Sequence, residues 1–131
     1  MRNFLSVLVV LLSLLSPMPA VSHHSFSAEF DIGRPVELTG TVTSLEWTNP
    51  HTWVFIDTED EQGNKQSWAI ELLGINVLLR SGMTPKTVKP DDVLTITGYG
   101  SRDGTNTANA SSVTKKETGE LLWASAGGRN N

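Results

Sequence analysis

Residues 36–47 read VELTGTVTSLEW, and this stretch decides the fold. Val36, Leu38 and Val42 lie on one side of an alternating run, with Glu37, Thr39, Thr41 and Thr43 on the other. That is the two-residue period of a half-buried β-strand. Near Thr43 or Ser44 the phase slips, and Leu45 and Trp47 take up the odd positions. A one-residue slip is the signature of a β-bulge, and Gly40 mid-run permits a bend. The stretch therefore predicts a long, bent first strand.

Working outward, Thr48-Asn49-Pro50 ends that strand, because Pro50 cannot donate to a ladder and holds Asn49 in an extended or turn conformation. Trp53 to Ile56 (WVFI) is apolar on both faces, as a strand covered on both sides would be, and Trp53 is expected in the core. EDEQGN (Glu59 to Asn64) makes a hairpin loop. Lys65 to Leu73 forms a third strand with Trp68, Ile70 and Leu72 on one face. The period then changes: Ile75, Leu78 and Leu79 follow helical spacing and Gly82 stops a short helix. Val93 to Gly98 and Thr107 to Thr114 read as strands four and five, with SRDGT (Ser101 to Thr105) as the turn between them. GELLWA (Gly119 to Ala124) suits a short last strand, from which Trp123 is expected to cover the open end of the barrel.

Three strands, a helix and two strands is the order of a small OB-like five-stranded Greek-key barrel, mainly β, with its helix between strands three and four. The bent first strand serves both sides of such a barrel. The expected boundaries are a cleaved signal peptide at 1–22, an N-terminal extended segment at 23–34, the barrel at 35–124 and a disordered tail at 125–131.

The leader reading rests on three features. Arg2 supplies the positive start, Phe4 to Leu15 an apolar core of twelve residues, and SPMPAVS the polar end. Twelve residues suit a signal peptide and fall short of the roughly 20 of a membrane span, so no stable membrane anchor is expected. Ala20 and Ser22 satisfy the small-residue rule at the −3 and −1 positions and put the cut before His23. A cut before Val21 would place bulky Met18 at −3. Export makes the periplasm or the exterior of a bacterium the expected location. The chain has no cysteine, which excludes disulfide staples. Loss of Arg2 takes the formal net charge from −4 to −5. That sign argues against nucleic acid as a partner.

HHSFSAEFD (His23 to Asp31), GTVTSLEWTNPH (Gly40 to His51) and KPDDVLTITGY (Lys89 to Tyr99) together resemble a family of small exported bacterial proteins known only as a domain of unknown function. The resemblance implies export and a compact β domain, and no reaction. Members commonly carry glycine where Asp91 stands here.

The residues able to carry chemistry are few. All three histidines, His23, His24 and His51, fall after the leader. A cut before His23 gives that residue a free α-amine of ordinary pKa about 7.7–8.0, a proton that a metal can displace near neutrality. The amine and a ring nitrogen then chelate, His23 or His24 supplying the ring. His51 adds a third nitrogen, a set suited to copper as Cu(II). Zinc is the second choice and needs a fourth ligand, for which Glu29, Asp31 and Glu46 are candidates. Two histidines near a chain end are equally compatible with no ligand role. The competing reading is an OB-type module that binds a protein, peptide or glycan partner through Trp47 and Asn49 without metal. A copper oxidoreductase shares the ligands but lacks visible supporting residues, and no catalytic triad, phosphate loop or paired-carboxylate motif is present. The chain is read as a non-enzymatic binding protein.

Overall fold

The computed structural model describes residues 25–126. The signal-peptide reading, with its cut at Ala20 and Ser22, and the His23-His24 doublet lie outside them, as does the tail beyond residue 126. Among the described residues the chain is mainly β. A short helix α1 (Phe26–Glu29) leads into β1 (Phe30–Glu46), followed by β2 (Trp53–Glu59), β3 (Lys65–Glu71), α2 (Ile75–Arg80), β4 (Val93–Ser101), β5 (Thr107–Lys115) and β6 (Leu121–Ala124).

The long first strand is the organising element. Its second half pairs antiparallel with β2 and its first half with β4, and near Thr41 it pairs with both. The expected slip is there: Val42 faces Ile56 and Ser44 faces Phe55, so Thr43 is the extra residue of a bulge. Gly40 packs against β2, where a Cβ would lie 2.7 Å from the Asp57 carbonyl oxygen. The strand also starts earlier than Pro35. Phe30 pairs with Ser101 across an irregular stretch that accommodates Gly33 and Pro35, and α1 occupies part of the segment expected to be extended.

Neighbouring strands run in the order β3-β2-β1-β4-β5-β6, and a short parallel ladder joins β3 to β5 through Ala69–Thr107, Ile70–Ala108 and Glu71–Asn109. Inward positions alternate as the two-residue period requires: Val54 and Ile56, Ile70 and Leu72, Leu94 and Ile96, Ala108 and Ala110 are all buried. Leu78 of α2, with Met83 and Val88 behind it, adds to the same core. Burying a leucine of this kind contributes about 1.5–3 kcal/mol. Trp123 is buried in this core, opposite Val113.

The turn before β4 contains one residue in the left-handed region and is bonded to β1. Asp91 has φ 72°, in the left-handed region, and its N–H donates to the Val42 carbonyl at 2.9 Å, while the Val42 N–H donates to Asp92 O at 2.8 Å. Aspartate tolerates this backbone better than most residues.

Candidate functional site

The loop between β1 and β2 is stitched to the junction between β3 and α2, and this places His51. The Thr52 N–H donates to Leu73 O at 3.2 Å, and the Leu72 N–H donates to Thr52 O at 2.8 Å. Asn49 completes the seam. Its Oδ1 accepts the Ile75 N–H at 3.0 Å, satisfying one of the donors left open at the start of α2. The Asn49-Pro50 peptide is cis. Thr52 is fully buried between these strands, so the loop has little freedom.

His51 leaves the seam pointing at Glu71, the last residue of β3. Its Nδ1 lies 2.9 Å from Glu71 Oε1 and 3.2 Å from the Leu72 carbonyl oxygen. A carbonyl and a carboxylate both accept, so Nδ1 carries a proton, and in the neutral ring the lone pair is on Nε2. Nε2 has no hydrogen-bond partner among the described residues, and the His51 side chain is 38% exposed. Glu71 is only 5% exposed. Burial raises its carboxyl above the ordinary range; the His51 charge pulls it back down, and the Glu29 charge pushes it up.

Glu29 ends α1, the element that leads back to the histidine doublet in sequence, and it lies close enough to Glu71 for their charges to interact. Beside this pair, Ala28, Glu29 and Phe30 line a cavity of about 350 Å³ together with Trp53 and the β4–β5 turn. Trp53 corrects one expectation. It is half-buried on the face away from Val54 and Ile56, because it alternates with them along β2.

The other expected site residues have definite places. Trp47 is half-buried and packs against the core. Asn49 gives its side-chain oxygen to α2. Asp31 Oδ1 accepts the Gly33 N–H at 2.9 Å. Glu46 is exposed and pairs across β1 and β2 with Trp53, which in turn pairs with Glu71. Among the described residues no group of three or more His, Cys, Asp or Glu is placed to hold a metal ion. His51 is the one histidine within them.

A family model described as a family of unknown function, DUF6152, matches residues 10–110. The chain belongs to this family. No curated protein and no solved structure was found to match it.

Glu71 is the candidate site residue that the sequence reading missed. The available signal was its setting: AIELL (Ala69 to Leu73) places one carboxylate inside an otherwise apolar run.

Proposed function

We propose that the exported, processed protein binds a divalent metal, copper ahead of zinc, through His51 and the histidines that the leader cut exposes. The observation that carries this reading is the His51–Glu71 pair. A histidine that ligates a metal commonly donates its other ring N–H to a carboxylate or carbonyl, which fixes the tautomer and raises the basicity of the ligating nitrogen. His51 has both kinds of acceptor on Nδ1 and an open Nε2. A cut before His23 would supply the amine and a second imidazole, from His23 or His24, a nitrogen-rich set that favours Cu(II). Binding without turnover is the activity proposed, in the periplasm or outside the cell.

The strand pairings support an OB-like barrel as the scaffold, since β1-β2-β3-β5-β4 and back to β1 form a ring. In such barrels the loops at the rim commonly hold ligands, and His51 lies in the β1–β2 loop.

The second reading, a module for a protein, peptide or glycan partner, has support in the exposed apolar side chains Leu73 and Val77 beside this loop. Asn49 has its oxygen engaged and Trp47 packs inward, which leaves that surface thinner than the metal site.

The test begins with the mature N-terminal residue by mass spectrometry, followed by calorimetric titration of Cu(II) and Zn(II). The proposal expects His23 as the first residue and a melting temperature that rises with metal. A chain starting at Val21, together with binding indifferent to His51→Ala, overturns it.

A further inference from the structure

We infer that the cavity between α1, Trp53 and the β4–β5 turn binds one pyranose ring of a neutral glycan, laid on the Trp53 indole. The inference stands without the metal reading and uses none of the surface at Leu73 and Val77.

Strand pairing fixes the floor of this cavity. Trp53 faces outward from β2 because Val54 and Ile56 take the inward positions. It pairs with Glu71 of β3, and the same strand brings Thr107 of β5 alongside through the Ala69–Thr107 pairing. Buried Phe30 pairs with Ser101 and supplies an apolar wall. The turn that forms the rim is tied down as well. Asp103 Oδ1 accepts the Thr105 N–H at 3.0 Å, the Thr105 hydroxyl at 2.7 Å and the Ser101 hydroxyl at 2.8 Å. The Arg102 N–H donates to Glu29 O at 2.8 Å, which joins the rim to α1. The enclosed volume, about 350 Å³, lies in the range of small-ligand sites.

The groups left open on these walls define the ligand. Trp53 makes no ring contact, and its indole N–H has no acceptor among the described residues. Arg102 spends Nε on Ser27 O at 2.8 Å, which leaves both Nη groups as donors. Asp103 has its second carboxylate oxygen left as an acceptor. Charge then selects among ligand classes. The Arg102 guanidinium repels a lone ammonium, and the Glu29 and Asp103 carboxylates repel a lone anion. A neutral ring of hydroxyls suits both, because each hydroxyl can donate to a carboxylate or accept from a guanidinium. The C–H face of such a ring covers the indole and removes apolar surface from water.

The experiment uses protein produced from the full-length sequence, kept in EDTA so that metal plays no part. It is titrated with glucose, N-acetylglucosamine, cellotetraose and chitotetraose, and heteronuclear NMR follows the indole N–H signals. The Trp53 signal, assigned by its loss in Trp53→Phe, should shift saturably with at least one of these sugars. The signals of Trp47, Trp68 and Trp123 should stay in place. Trp53→Leu, which removes the flat face, should bind that sugar about 10-fold more weakly. Arg102→Gln should bind it about 3- to 10-fold more weakly. Arg102 is exposed, and glutamine keeps the main-chain N–H bonded to Glu29 O, so this variant reports the side chain even if Trp53→Leu fails to fold. Absence of a Trp53 shift with all of the sugars overturns the inference, as does binding that both variants leave unchanged. A Trp53 shift with glycine or tetramethylammonium and with none of the sugars overturns the choice of a neutral ring.

Discussion

Replacing Glu71 with glutamine should move stability and metal affinity in opposite directions. Glu71 is 5% exposed, and burial raises its pKa above the ordinary 4.5. A carboxyl with a raised folded-state pKa binds its proton more tightly in the folded chain than in the unfolded one. Its favourable contribution is complete below pH 4.5 and is lost as pH rises through the raised value. Above that window the folded chain holds a buried charge, compensated by His51 only while the imidazole is protonated. Glutamine has nearly the same shape, and its carbonyl still accepts from His51 Nδ1, but it carries no charge. At pH 8 the variant should equal wild type or exceed it by up to about 1 kcal/mol. Its stability should also decline less between pH 5 and pH 8. Metal affinity should instead fall about 10- to 100-fold, the usual cost of losing an outer-shell carboxylate, or about 1.4–2.7 kcal/mol. Urea denaturation at the two pH values and calorimetry with Cu(II) read both effects. A variant less stable than wild type by more than about 1 kcal/mol at pH 8 refutes the account of Glu71 as a costly buried charge. Unchanged Cu(II) affinity refutes its role in orienting His51.

Three further predictions follow from particular contacts. A Cβ on Gly98 would lie 2.1 Å from Asn109 O at the irregularity between β4 and β5, so Gly98→Ala should cost about 3 kcal/mol or prevent folding, as read by chemical denaturation. Asn49→Ala removes the acceptor for the Ile75 N–H and should cost about 1 kcal/mol, with faster amide exchange confined to the first turn of α2. Hydrogen bonds from Thr105 and Ser101 lower the Asp103 carboxyl from 3.8 to about 2. Its stabilisation is present above pH 3.8 and is lost as pH falls through about 2, so an acid titration should show wild type and Asp103→Ala converging at the low end of that window.

What the sequence disclosed was local, and what it hid was spatial. The slip at Thr43 was legible because a bulge shifts the apolar phase within one strand, and Leu45 and Trp47 record it. The helix at Ile75 was legible because Leu78 must meet the core at helical spacing. The role of Asn49 was not, because its oxygen serves a helix start 26 residues away. The burial of Glu71 was hidden in a similar way. The alternation in β3 put it opposite Ile70 and Leu72, on a face that reads as exposed until Trp53 across the ladder and the N-terminal segment are placed. The early start of β1 escaped because Gly33 and Pro35 read as breakers, yet an irregular register absorbs both. His51 could be singled out from residue type and position. Only the fold reveals that its Nδ1 is occupied and its Nε2 open.

The most direct test of the metal site is the EPR spectrum of the processed protein carrying one equivalent of Cu(II). The account predicts a tetragonal signal with hyperfine structure from three nitrogen donors, one of which disappears in His51→Ala. A spectrum of unbound aqueous Cu(II), or a protein-bound signal that His51→Ala leaves unchanged, would contradict it.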